Sequence, residues 1–314
     1  MKILSLIFKK LGVFIILLLV CVVLSILSPN FFTFKNLINI IRQAAIMTVV
    51  ATGLSIVMIG GGIDLSVGSV VGVSSAVLGV LIVSLGVNVW VAIIFVLLIG
   101  LLIGFINGVI VTRFNLAPFI VTLAGLTAYR GVSYIITRGH PITNVSPVLV
   151  FIGREYFFKV PVMVWIAFGV VIIMHILLSN SKFGIRTRQI GTDREAALFN
   201  GISVNNYQVI TYSICGMLAA FGGIMLCGRL NSSQPNAGSG YELDAIAAVV
   251  IGGGSLFGGV GTIWGTTTGV LIIVIIRNGL NLLDVNVFWQ YIATGAIILG
   301  AVLMDSFRKK VEEK

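Results

Sequence analysis

VVATGLSIVMIGGGIDLSVGS, residues 49–69, decides how this chain must be read. Its first half is apolar, and its second half sets three consecutive glycines before a carboxylate, Asp64, and two serines after it. Such a run needs either a large core or a bilayer. Hydrophobic residues make up 58% of the 314 positions and charged residues only 10%, against about 25% charged in an ordinary soluble domain. Runs such as Leu11 to Leu27 and Val160 to Leu178 reach the ~17–25 residues that a helix needs to cross hydrocarbon. The runs lack the alternation of barrel strands, and an unpaired backbone group is too costly in lipid for anything but a helix or closed barrel. The expectation is an all-α integral membrane protein.

Working outward, apolar runs between charges and Pro/Gly punctuation give about ten spans, near 11–28, 43–60, 66–86, 89–112, 118–136, 160–178, 207–228, 243–256, 262–283 and 287–304. The first run resembles a secretory signal, but it is long and no small-residue cleavage pattern follows, so it is read as a retained span. An even count puts both termini on one side. If that side is the cytoplasm, it collects Lys2, Lys9, Lys10, Arg113, Lys182, Arg186, Arg188, Arg194, Arg308, Lys309, Lys310 and Lys314, twelve basic residues. The other side receives six, Lys35, Arg42, Arg138, Arg154, Lys159 and Arg229, while Arg130 and Arg277 stay inside spans. This two-to-one bias fixes the orientation. The net charge of +10 belongs to span ends and anionic lipid rather than to nucleic acid. Residues 1–314 therefore form a single transmembrane domain, with a polar cytoplasmic segment over 179–206. Within that segment Thr192 or Asp193 can cap a short helix through DREAALFN, and Gly201 can end it.

Several chemistries are excluded. GGGSLFGGVGT, 252–262, has no lysine after its last glycine and so cannot act as a phosphate-binding loop. His140 and His175 stand without a metal-binding motif, and Cys21, Cys215 and Cys227 lack CxxC spacing. No GxSxG nucleophile elbow is present. One internal echo stands out: VMIGGGIDLSVGSVVGV from Val57 and VVIGGGSLFGGVGTIWG from Val249 share IGGG at the inner end of a span. Gly-interrupted symmetry of this kind marks the working centre of many transporters.

Three long segments, GGGIDLSVGS, APFIVTLAGLTAYRGVSYIITRGHPI and QPNAGSGYELDAIAAVVIGGGSLFGGVGTIWGT continuing to RNGLNLLDVNVFWQ, resemble the permease subunits of bacterial ABC importers for monosaccharides, the ribose permease group. The resemblance runs from about residue 30 to 307. It implies a multi-pass protein of the bacterial cytoplasmic membrane that carries a monosaccharide such as ribose and is itself not an enzyme. The implied partners are a second permease copy, a cytoplasmic ABC ATPase that binds ATP and magnesium, and an extracytoplasmic sugar-binding protein; this chain would hold no cofactor. It also implies an ATPase-coupling helix in GTDREAALFNG, 191–201, with Asp193, Arg194, Glu195, Ala196, Ala197 and Gly201 as its residues. The EAA and the later glycine echo the signature of ABC permeases, but the I-x-L-P that follows it elsewhere is missing. Other small solutes stay open, among them a furanosyl signal molecule or a branched-chain amino acid, as does an ion-coupled transporter working alone.

The pathway or gate candidates are Asp64, Ser66, Arg130, Tyr134, Asn278 and Asn281. A charge at mid-membrane costs about 2.5–3.5 kcal/mol on insertion scales, so Asp64 is read first as a cap for the third span and second as a gate. Thr127, Arg130, Tyr134 and Thr137 share a helical face and can line a wet path or hold lipid. Asn278 and Asn281 suit either sugar hydroxyls or helix packing, and Asn107 among Gly100, Gly104 and Gly108 reads as close packing. On the outer side Arg42, Arg138, Arg154 and Arg229 are candidates for pairing with acidic groups of a binding protein.

Overall fold

The computed structural model describes the backbone of residues 2–312 and the side chains of 13–300, 302, 303, 305 and 306. Lys2, Lys9, Lys10, Arg308, Lys309, Lys310 and Lys314, all counted above toward the cytoplasmic side, lie outside the described side chains. The chain order is α1 Lys2–Leu27, α2 Phe34–Ile59, α3 Val67–Gly79 extended by a π turn Val80–Ser84, α4 Val89–Arg113, α5 Pro118–Thr137, α6 Pro147–Arg154, α7 Val162–Asn180, α8 Lys182–Thr192, α9 Arg194–Phe199, α10 Val204–Leu230, α11 Tyr241–Ile251, α12 Ile263–Leu282 and α13 Val287–Glu312.

Among the described residues seven helices are long and apolar enough to cross a membrane: α2, α3 with its π turn, α4, α5, α7, α10 and α12. The expected span near 243–256 is corrected. Its helix, α11, has 11 residues, about 16 Å at 1.5 Å per residue, which is half of a ~30 Å hydrocarbon core. The rest of that crossing is non-helical, residues 234–240. α2 also begins well before position 43, which places Arg42 on a helix rather than in a loop. The cytoplasmic segment holds a helix that the sequence reading missed, α8, capped by Ser181, whose Oγ accepts from the Gly184 N–H.

At the centre lies α2, buried at every residue from Ala44 to Ile59. It is crossed closely by α10, where a methyl group on Gly53 would lie 3.1 Å from the Cys215 Cα. On its other flank α10 packs backbone to backbone on α4: Gly100, Gly104 and Gly108 face Gly216, Tyr212 and Val209, leaving no room for a Cβ. Small residues at four-residue spacing do this because lipid gives apolar side chains no reason to prefer each other, and close van der Waals approach must supply the attraction. The opposite face of α4 exposes Val91, Ile94, Phe95, Leu98, Leu102 and Phe105, as a lipid-facing helix should. At one end of the bundle, Ile142–Thr143 pairs antiparallel with Ser232–Ser233, and Tyr156–Phe157 with Val160–Pro161. α8 and α9 lie at the other end, beside the glycine turns after α2 and α11; by the charge bias that end is cytoplasmic.

Candidate functional site

At the cytoplasmic end, the IGGG echo becomes a structural identity. Gly60, Gly61 and Gly62 donate to the carbonyls of Ile56, Met58 and Val57, and Gly252, Gly253 and Gly254 donate to those of Ala248, Val250 and Val249, with the same offsets. Gly61 and Gly253 take φ +79° and +87°. Both are Schellman caps, in which the left-handed residue favours glycine. Beside the first turn, Asp64 is 1% exposed. Its Oδ1 accepts from the Ser66 N–H at 2.8 Å and the Ser66 hydroxyl at 2.6 Å. Asn107 donates to Ser66 Oγ at 3.0 Å, and Tyr129 donates to Asn107 Oδ1 at 2.8 Å. Tyr212 and Thr122 both donate to the Ile63 carbonyl. Asp64 and Ser66 thus anchor the start of α3 to α4, α5 and α10. The capping differs in detail from expectation, because Asp64 serves Ser66 rather than the first amides of the helix.

Between Ser232–Ser233 and α11, the irregular stretch 234–240 needs its backbone satisfied, since such chain is tolerated in a membrane only where protein or a wet cavity covers it. Arg130 supplies this: it donates to the carbonyls of Pro235 (3.2 Å), Ala237 (2.7 Å) and Gly68 (3.1 Å), and Ser133 adds a bond to Pro235. Below it, Asp244 pairs with Arg277 at 2.7 Å and binds α11 to α12. The proposed face of α5 divides. Thr127 and Tyr134 are exposed, Arg130 is turned into the protein, and Thr137 is buried. Asn278 is committed to packing: it exchanges two amide hydrogen bonds with Asn36, 2.8 and 2.9 Å, tying α12 to α2. Asn281 accepts from Gln290 on α13.

At the outer end three of the four arginines converge. Arg42 donates to the Arg154 carbonyl, lies 4.8 Å over the Tyr156 ring, and Arg154 donates to the Arg229 carbonyl. Arg138 instead occupies the left-handed C-cap of α5, at φ 53°.

In the cytoplasmic segment, Asp193 is the N-cap of α9, its Oδ1 accepting from the Ala196 N–H at 3.0 Å, and Gly201 at φ +72° closes the helix by donating to Leu198. Arg194, Glu195 and Ala196 are exposed. Ala197 is not: it is 2% exposed and packs with Ile190 and Val204, the one expected coupling residue that is turned inward. Two residues that sequence reasoning missed matter more. Phe199, at the tip, is 90% exposed, and Asp305 on α13 accepts from Ser255 Oγ and the Leu256 N–H, holding the turn after α11. A groove of about 420 Å³ runs between α8 and α9, lined by Ile185, Arg188, Gln189, Thr192 and Asn200.

A family model described as branched-chain amino acid transport system / permease component matches residues 36–302. The ribose import permease protein RbsC of Bacillus subtilis (strain 168) is 46% identical over 96% of this chain and 94% of its own length. That of Escherichia coli (strain K12) is 42% identical over 93% and 92%, and the galactose/methyl galactoside import permease protein MglC of the same strain is 33% identical over 96% and 95%. No solved structure matches the chain.

Proposed function

The chain belongs to the family of branched-chain amino acid transport system / permease components, and from that membership we propose that it is the membrane-spanning permease subunit of an ATP-driven, binding-protein-dependent importer of a monosaccharide, ribose first. The observation that carries the sugar is the similarity along nearly the whole chain to ribose import permeases at 40–46% identity, against 33% for a galactoside permease. The amino-acid wording of the family description fits that record less well. It is a multi-pass protein of the bacterial inner membrane.

In this reading the subunit does no covalent chemistry. It has no phosphate loop, so ATP and magnesium belong to a partner ATPase, which docks on the 179–206 segment of the single permease domain. Phe199 is the knob of that docking: a large apolar side chain at the tip of a capped, charged helix costs free energy in water and gains it in a pocket. Asp193, Arg194, Glu195 and Ala196 form the rim. On the outer side, the Arg42, Arg154 and Arg229 group faces acidic side chains of the binding protein. A second permease copy completes the pathway, and the exposed stripe of Ala124, Thr127, Ala128, Gly131 and Tyr134 on α5 is better suited to that copy or to a wet path than to lipid.

An ion-coupled carrier needs a carboxylate free to change partners. Asp64 and Asp244 are instead held by Ser66 and Arg277, which leaves Glu242, its Oε1 accepting from the Gly240 N–H and its Oε2 buried without a hydrogen-bond partner among the described residues, as the carboxylate on which that alternative would rest. The test is uptake of labelled ribose into proteoliposomes holding this chain, its ATPase and the loaded binding protein. Uptake that requires ATP and both partners is the expected result. Uptake by the chain alone under a proton or sodium gradient would refute it.

A further inference from the structure

The two glycine turns do not stand apart from the cytoplasmic segment. The Gly259 N–H donates to the Ile59 carbonyl at 2.9 Å, joining the loop after α11 to the last residue of α2. Gly191, in the last turn of α8 and two residues before the Asp193 cap, lies against both. A methyl group there would overlap the Ile59 carbonyl oxygen and the Gly259 nitrogen. One on Gly258 would lie 2.6 Å from the Gly191 carbonyl oxygen and 2.9 Å from the Gly61 Cα, and one on Gly259 2.5 Å from Thr192 Oγ1. Gly61, Gly258 and Gly259 also take φ of +79°, +92° and +75°, a region that most L residues avoid. Three stretches of main chain therefore meet directly, with the Thr192 hydroxyl the side-chain atom beside Gly259. A contact through side chains can give by rotamer changes. One made of main chain has no such slack, because close-packed atoms shift only together.

We propose that Gly191, Gly258 and Gly259 are positioning residues of the transport cycle, forming a joint of main chain on main chain through which α8 moves the inner end of α2 and the turn between α11 and α12 as one body. This rests on reading α9 as the ATPase contact, from which the movement starts. The joint explains why the loop that follows the second Schellman turn, at Gly258 and Gly259, lies against the first turn and against the approach to α9. Each turn ends a helix of the permease core, so a displacement of α8 reaches both halves of the echo at once.

The decisive variants are Gly191→Ala and, as a control, Gly169→Ala on α7, where a methyl group meets nothing within 4 Å. Three quantities are measured in the complete complex in proteoliposomes: ATPase retained, ATP hydrolysed and ribose taken up. Gly191→Ala is expected to keep the ATPase bound and hydrolysing while uptake falls at least ten-fold, with Gly169→Ala at the parental level. Parental coupled uptake by Gly191→Ala overturns the joint. Failure of the underlying docking reading looks different, since Phe199→Ala would then leave ATPase retention unchanged whatever Gly191→Ala does. If Gly191→Ala does not insert, a reversible tether decides. A methyl group at Gly60 would lie 3.4 Å from Thr187 Cγ2, an atom one bond beyond Thr187 Cβ, which makes Gly60→Cys with Thr187→Cys the pair to cross-link, a disulfide needing Cβ atoms about 3.5–4.5 Å apart. Elements that move as one body keep parental uptake with the tether closed; uptake blocked until the disulfide is reduced overturns the proposal.

Discussion

Phe199→Ala tests the cytoplasmic docking surface at its most exposed point. The side chain is 90% exposed, so it contributes almost nothing to the fold of this chain, and its removal should leave the melting temperature of the purified permease unchanged. A phenylalanine buries about 150–250 Å² when covered. With about 150 Å² taken by a partner pocket, at ~25 cal/mol per Å², the gross gain is almost 4 kcal/mol. Ordering the ring and the tip of α9 on docking reduces this to about 2–3 kcal/mol, the range of an interface hot spot. At 1.4 kcal/mol per decade, affinity for the ATPase should fall by roughly 30- to 150-fold. The assay is titration of the ATPase onto the permease in nanodiscs, with ribose uptake measured beside it. A change in Kd below about three-fold, with the variant correctly inserted, would refute the assignment of Phe199 to the ATPase contact.

Asp193→Ala removes the cap of α9 and should weaken ATPase binding about five-fold, since an N-cap is worth ~1 kcal/mol; Asp193→Asn should restore most of it, and unchanged binding in the alanine variant would count against a folded α9 in the docked state. Asn278→Leu leaves Asn36 Oδ1 without its donor, its Nδ2 keeping only the bond to the Phe31 carbonyl, and should lower stability by about 1–3 kcal/mol, read as a drop in melting temperature in detergent, whereas Asn36→Leu with Asn278→Leu should recover part of the loss. Additive losses in that cycle would refute the reciprocal amide pair. Arg154→Glu should weaken binding-protein docking and change its salt dependence, leaving ATPase affinity untouched; unchanged docking at low salt would remove the outer arginine group from that role.

What could be read from the sequence followed from how local its cause was. The GxxxG spacing of α4 announced close packing because the same residues make it wherever the partner comes from. Asp193 and Gly201 announced their cap and stop because both act within one helical turn. Asn278 was ambiguous for the opposite reason: its amide is suited to a sugar or to a helix, and only Asn36, 242 positions away, decides. The inward side of Ala197 was not legible because a six-residue helix is too short for periodicity to fix which side is buried. The break before α11 was hidden because IAAVVIGGG continues as an apolar run, and QPNAGSG reads as an ordinary outer loop.

That break changes what the intramembrane charges are for. A continuous helix would satisfy its own backbone and leave Arg130 free for solute. A crossing made of 234–240 and an 11-residue helix leaves carbonyls at membrane depth, and each unsatisfied group there costs several kcal/mol. Arg130 holds two of them, Pro235 and Ala237, while also bonding the Gly68 carbonyl of α3, and Asp244 with Arg277 fixes the helix that follows. The cost of placing charge in the bilayer is thus offset by backbone bonds that no apolar residue makes. Arg130 is the fastener of a broken span, while Thr127 and Tyr134 on the same helix stay exposed.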